Sequence, residues 1–209
     1  MPDLLPFYTC VQTIGQRDIH LQVPTPSAVA AVVRTNYHES PANPYWAQVW
    51  PAARALARYI DEHSTLVRDK IVLELGAGLG LPSLAAAAYA KAVCCSDADP
   101  RAVAFIRANA DLNKCRTLEA CVLDWNQLHQ LPAADVLLLS DVNYDPTDFP
   151  RLLELIHHYH KQGSCILLAT PQRLLAKSFA AELLLLCQEA EELMVEHAGK
   201  GVWINIYHL

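Results

Sequence analysis

Short unbroken apolar runs alternate along this chain with stretches whose apolar residues recur at helical spacing. The runs Ile71 to Leu75, Ala92 to Cys95, Leu118 to Leu123, Val136 to Ser140 and Cys165 to Ala169 have the length of strands buried on both faces. Helical patterns separate them: Leu81 to Tyr89, Pro100 to about Leu112, the segment from Pro150 to Gly163, and Thr170 to about Glu189. A further helix, ARALARYIDEH, follows Pro51, a residue suited to a helix start. Leu193 to Glu196 and Val202 to His208 read as a closing hairpin around Gly199-Lys200-Gly201, and Phe7 to Val23 as two strands joined near Gly15. Residues from Pro24 to Pro44 read as an irregular connection with a helical turn around Ala28 to Val33. Five parallel strands and a terminal antiparallel pair predict an α/β fold.

The organising stretch is Lys70 to Asp99. A buried strand turns through Gly76, Gly78 and Gly80 into an Ala-rich helix whose first turn carries Pro82, and a second strand ends at Asp97. Glycines let backbone approach a ligand that a Cβ would hold off, and a helix N-terminus favours negative groups. Asp97 stands where a carboxylate accepts hydrogen bonds from ribose hydroxyls. A dinucleotide fingerprint needs a glycine at 81, where this chain has Leu81, which disfavours a nicotinamide-dependent oxidoreductase.

Other polar and aromatic groups gather at predicted strand ends. Trp50 precedes a helix, either as a core anchor or as an aromatic face beside a cation. Asp99 caps the next helix. Asp124 and Trp125 follow the third strand of the unit, where they either terminate and pack it or hold a base. Asp141, Asn143 and Tyr144 follow the fourth, at the end where open α/β sheets bind ligands. His157, His158 and His160 have no second ligand cluster and read as a solvated helix face, so no metal is expected.

Composition narrows the picture. The 209 residues are 53% apolar and 18% charged, enough for one sizeable core. A net charge of −6 leaves no basic footprint for nucleic acid. No apolar run reaches the roughly 20 residues that span a bilayer, and the N-terminus lacks the pattern of a signal peptide. Seven scattered cysteines without a C-x-x-C read as reduced thiols of a cytoplasmic protein, and a monomer is the default.

Glu74-Leu75-Gly76-Ala77-Gly78-Leu79-Gly80 resembles the first motif of the seven-strand S-adenosylmethionine-dependent methyltransferases. With YWAQVWPAARALARYI, DADPRAVAFIRANADLN, LDW and DVNY, the chain from Tyr45 onward is similar to the protein-lysine methyltransferases among them, nearest the branch acting on the electron-transfer-flavoprotein β-subunit. The resemblance implies a Rossmann-like three-layer sandwich of sheet order 3-2-1-4-5-7-6 with the last strand antiparallel, over 45–209. Residues 1–44 are expected to form a hairpin and irregular segment packed on this core. It implies S-adenosylmethionine as cofactor, flanked by Trp50, cradled by Glu74, Gly76, Gly78 and Gly80, its ribose on Asp97 and its adenine on Asp124 and Trp125. It implies a protein substrate whose lysine enters past Asp141 and Tyr144, with Asn143 as helper. Related base and glutamine enzymes carry N-P-P-[YF] where this chain has Asp141-Val142-Asn143-Tyr144, which disfavours an amide or nucleobase acceptor. The competing readings are a small-molecule N-methyltransferase and a non-catalytic binding module on the same fold.

Overall fold

The computed structural model describes residues 4–35, 44–142, 146–171 and 177–209. In chain order its strands are β1 Phe7–Ile14, β2 Arg17–Pro24, β3 Ile71–Leu75, β4 Ala92–Asp97, β5 Leu118–Val122, β6 Val136–Ser140, β7 Cys165–Pro171, β8 Glu189–His197 and β9 Lys200–His208. Its helices are α1 Pro26–Thr35, α2 Pro51–Glu62, α3 Leu81–Ala86, α4 Pro100–Leu112, α5 Phe149–Lys161 and α6 Lys177–Leu186. Strands β1 and β2 pair by themselves; the others form one seven-stranded sheet, ordered β5-β4-β3-β6-β7-β9-β8. Counted from β3, that is 3-2-1-4-5-7-6. Strand β9 is antiparallel to both its neighbours, so it alone runs against the rest.

The apolar runs explain the layers. Successive side chains of a strand point to opposite faces, so a strand apolar at every position needs cover on both. On one face Val72, Val93, Val136, Leu138 and Leu167 meet α2, around Leu56 and Ile60. On the other, Leu73, Leu75, Leu137, Leu139 and Leu168 meet α5 and α6, around Leu152, Ile156, Phe179 and Leu183. Helices α3 and α4 complete the α2 side against Cys95 and Ala120. The result is a three-layer sandwich.

Several boundaries differ from expectation, and Thr170 and Pro171, expected to open a helix, instead end β7 paired with Asn205 and Ile204. The connection after Pro24 is a ten-residue helix, α1, whose start is held by Ala28 N donating to Thr25 Oγ1 at 3.3 Å. Helix α3 stops at Ala86 instead of Tyr89, because the chain must reverse within a few residues to enter β4. Tyr89 N donates to Ala86 O in that turn, and the Tyr89 hydroxyl donates to Asp61 Oδ1 at 2.6 Å. Helix α6 ends at Leu186, and Glu189 to Glu192, which have helical propensity, lie in β8 paired with Tyr207, Ile206 and their neighbours on β9. A complete ladder of strand pairing outweighs a few tenths of a kcal/mol per residue of propensity.

The N-terminal hairpin is bolted down at two places. Asn109 and Asn113, one turn apart on α4, meet alternate residues of β2. Asn109 Oδ1 accepts from Gln22 N at 2.7 Å; Asn113 Oδ1 accepts from His20 N at 2.9 Å, and its Nδ2 donates to His20 O at 2.7 Å. Two side-chain amides thus satisfy the strand edge that another strand would otherwise have to pair. At the hairpin turn, Arg17 Nη2 donates to Asp61 Oδ1 at 2.8 Å. Gly15, with φ +57°, sits so close to Asp61 that a Cβ there would lie 2.0 Å from Oδ2. The hairpin is therefore a cover over α2, α3 and α4.

Candidate functional site

At the carboxyl ends of β3, β4 and β6 lies a cleft of about 500 Å³. That volume lies within the roughly 300–1,000 Å³ typical of small-molecule sites. It opens at the switch point between β3 and β6, where consecutive strands are laid down in opposite directions across the sheet.

The floor is the loop from Gly76 to Gly80. All three glycines have positive φ, +66°, +57° and +80°. At Gly78 the need is steric as well, since a Cβ would come within 3.2 Å of the Trp46 carbonyl oxygen. Gly80 is the N-cap of α3 and has no side chain to satisfy the helix's first amides. Glu74 does so from β3: its Oε2 accepts from Ser83 N at 2.9 Å and Ser83 Oγ at 2.5 Å. Fully buried, Glu74 has its carboxyl pushed up to about 8 by loss of solvent, opposed by the Ser83 bonds. Glu74 therefore builds the loop from behind and does not line the cleft.

Asp97 closes the second strand. Its Oδ2 accepts from Gly78 N at 3.0 Å and its Oδ1 from Asp99 N at 2.9 Å. Burial raises its carboxyl from the ordinary value, against the pull of those two amides. The bonds aim the group into the cleft and leave each oxygen further lone pairs for a ligand. Asp99 caps α4, its Oδ1 accepting from Arg101 N at 2.8 Å. Burial alone would raise Asp99, but the Arg101 bonds and charge bring it below its usual range.

Trp50 stands at the N-cap of α2 with Pro51 after it, and its Nε1 donates to Tyr45 O at 2.6 Å. Trp50, Tyr45 and the buried Trp46 all line the cleft. Across from them lie Leu123 and Trp125. Asp124, between them, is not among the lining residues, and its Oδ1 accepts from Asn126 N and Nδ2, both at 2.9 Å. At the end of β6, Ser140 and Asp141 complete the wall. Asp141 N donates to Ala169 O at 2.9 Å, yet Asp141 has φ +57°, a left-handed conformation uncommon outside glycine. Val142 then turns back to Gly76, where a Cβ would meet Val142 Cγ1 at 3.1 Å. Asn143 and Tyr144 lie outside the described residues.

The structure thus brings Trp50, Gly76, Gly78, Gly80, Asp97, Trp125 and Asp141 to one cleft. It adds a residue that sequence reasoning missed. Asn109, wholly buried in α4, donates from Nδ2 to Leu79 O at 3.1 Å while its Oδ1 holds Gln22 N, joining the glycine loop to the hairpin. The available signal was an asparagine among the apolar positions of a helix, since a buried amide needs partners.

A carboxylate at the second strand, a loop of left-handed glycines and an aromatic rim at the β3–β6 switch point, on this sheet order, make the arrangement of the class I methyltransferase fold. Solved structures agree at the level of fold. The 16S rRNA N2 G1207 methyltransferase RsmC of T. thermophilus, in complex with AdoMet and guanosine, superposes with TM-score 0.65 at 16% identity, covering 99% of this chain and 51% of that one. A precorrin-6y C5,15-methyltransferase from Geobacter metallireducens gives 0.56 at 17% identity, covering 74% and 87%. The chain belongs to the lysine methyltransferase family, whose model matches residues 35–184. Curated relatives include the electron transfer flavoprotein beta subunit lysine methyltransferase of Mus musculus, 35% identical over 134 residues (63% of this chain, 52% of the relative). The histone-arginine methyltransferase METTL23 of Homo sapiens is 34% identical over 131 residues (59% and 69%), and that of Mus musculus 31% over 140 (64% and 55%). The chain spans about half the length of most of these relatives.

Proposed function

We propose that this protein uses S-adenosylmethionine to methylate a side-chain nitrogen of a protein, with lysine as the acceptor. The observation that carries the reading is one cleft holding both a half-buried carboxylate beside a glycine loop, Asp97, and a second carboxylate at the strand switch, Asp141. The donor set fits the cofactor. Asp97 would accept from ribose hydroxyls, the Cβ-free loop would admit the methionine end, and Leu123 and Trp125 would give the adenine an apolar wall. Trp50 and Tyr45 offer ring faces suited to a sulfonium. When bound, the cofactor supplies an electrophilic methyl group to the acceptor nitrogen.

The chain's own residues would work by position. Holding two reactants in line can supply about 7–11 kcal/mol of the barrier. A lysine amine must lose its proton before it attacks, from an ordinary pKa of about 10.4. A neighbouring cation at about 4 Å and an effective dielectric of about 20 opposes the ammonium by about 4 kcal/mol, worth roughly three pKa units. Burial in the cleft acts in the same sense. Asp141 aims the amine and can accept its proton. An arginine acceptor is the second reading, favoured by the relatives named as histone-arginine methyltransferases. The family match to lysine methyltransferases puts lysine first. Seven free thiols suit a reducing compartment such as the cytoplasm.

Calorimetry with S-adenosylmethionine, its demethylated product and NAD tests the cofactor. Wild type should bind the first two in preference to NAD, and Asp97→Ala should weaken binding by at least ten-fold. Preference for NAD would end the methyltransferase reading. Labelled-methyl transfer to cell-extract proteins and small molecules, followed by hydrolysis to amino acids, would then separate lysine, arginine and small-molecule acceptors.

A further inference from the structure

The β8–β9 hairpin runs past the edge of the parallel sheet. Pro171, the last residue of β7, pairs with Ile204, which in turn pairs with Leu193. Four more rungs follow: Met194–Trp203, Val195–Val202, Glu196–Gly201 and His197–Lys200. At about 3.3 Å per residue they carry the hairpin roughly 13 Å beyond the sheet. Because β7 is parallel to β6, the overhang stands on the side where Asp97 and Asp141 line the cleft. Helix α2, which begins at the cleft with Trp50, braces it: Arg58 Nη1 donates to Met194 O at 3.4 Å and Arg54 Nη1 to Glu196 O at 3.1 Å.

The two faces of the overhang differ. Leu193, Val195 and Ile204 are buried toward α2. Glu192, Met194, Glu196 and Trp203 alternate to the other face and are exposed, Met194 by 56% and Trp203 by 51%. Glutamates on an edge strand discourage pairing with another sheet, which would account for Glu192 and Glu196. That role gives no reason for a half-exposed tryptophan opposite a half-exposed methionine. An aromatic face ringed by carboxylates has the chemistry that holds ammonium and guanidinium groups. On this face β8 carries Glu192 and Glu196, while Glu189 and Glu191 alternate to the α2 side; His197 and Lys200 stand at the turn, on a chain of net charge −6.

We infer that the Met194–Trp203 face, flanked by Glu192 and Glu196, docks an extended basic segment of the acceptor protein and holds it outside the cleft. This rests on the proposed protein methylation and locates where the substrate is recognised. The stem of a lysine or arginine lies on Trp203, an apolar side chain meets Met194, and neighbouring cations face the glutamates.

The test uses a fluorescein-labelled peptide, Gly-Arg-Lys-Leu-Lys-Arg-Gly, and a control in which glutamate replaces each cation, read by fluorescence anisotropy. Wild type should bind the basic peptide at least ten-fold more tightly than the acidic one, and more weakly at high salt. Trp203→Ala should cost about five- to ten-fold, as a central aromatic contact does, and the double variant Glu192→Lys with Glu196→Lys should abolish the preference. All variants should keep wild-type affinity for S-adenosylmethionine, which reports that they are folded. Equal peptide affinity in wild type and both variants overturns the proposal, as does no peptide binding by wild type. Wild-type self-association abolished by Trp203→Ala would also overturn it, making a second copy of the chain the occupant. Should docking depend on Trp203 while no methyl is transferred, the docking surface stands and the proposed reaction falls.

Discussion

Asp141 illustrates how much a single backbone angle constrains the choice of side chain. At φ +57° a β-carbon is crowded, and aspartate and asparagine tolerate that region better than other residues because their short polar groups bond locally. Asp141→Asn should therefore fold like wild type and bind S-adenosylmethionine normally, while methyl transfer falls by 10²-fold or more. Asp141→Ala should lose the same activity and, in addition, about 1 kcal/mol of stability. Urea unfolding and single-turnover kinetics check both, and loss of cofactor binding in Asp141→Asn would move this residue into the cofactor's own site. Glu74 sets a pH dependence instead. Its carboxyl lies at about 8 in the folded chain against 4.5 ordinarily. Between those values the folded protein holds a proton that the unfolded chain has released. The stability from this group is thus full below pH 4.5 and is lost as pH rises through 8. Glu74→Gln keeps an oxygen for Ser83 and should remove this slope, at most about 1.4 kcal/mol per pH unit, in unfolding measured across that range.

Among the elements, α4 does more than cover the sheet. Its N-terminus is capped by Asp99 two residues after Asp97, and its buried asparagine ties the glycine loop to β2. Asn109→Ala would leave Leu79 O and Gln22 N without that partner, at about 1–3 kcal/mol for each buried group. We expect a loss of about 2–4 kcal/mol in urea unfolding together with weaker S-adenosylmethionine binding, because the floor of the cleft loosens. Asn113→Ala, at the more exposed end of the same contact, should cost about 1 kcal/mol and leave the cofactor affinity unchanged. Equal effects of the two substitutions would show that the hairpin and the loop are held independently of Asn109.

For the whole molecule, the cleft joins β3, β4, β6, the entry to α2 and the loop before α3, so a ligand there should stabilise the fold as a unit. At one hundred times its dissociation constant, S-adenosylmethionine should add about 2.7 kcal/mol to the unfolding free energy. For a chain of this size that raises the midpoint of thermal unfolding by roughly 5–10 °C. In Asp97→Ala at the same ligand concentration the gain should fall to about 1.4 kcal/mol or less, and an undiminished shift would place binding elsewhere.

Local chemistry determined a large part of this protein. Short apolar runs bounded by turn residues read as strands covered on both sides, and three alternating glycines before a helix as a tight turn that admits close approach. The terminal hairpin was legible in the glycines between two apolar stretches, whereas the sheet order came from likeness to a known family, and both are present. The sites of Trp50, Asp97, Trp125 and Asp141 were legible because strand and helix ends are marked by the residues that end them. Tertiary structure decided the rest, because those outcomes depend on neighbours distant in sequence. Glu189 to Glu192 became strand only through pairing with β9. The N-terminal hairpin became a cover only through Asn109 and Asn113, some 90 residues away. Glu74 went behind the loop because Gly80 has no side chain to cap α3, and Asp124 turned to Asn126. The overhang that exposes Trp203 exists only because β8 and β9 outrun β7, a register that no local pattern records.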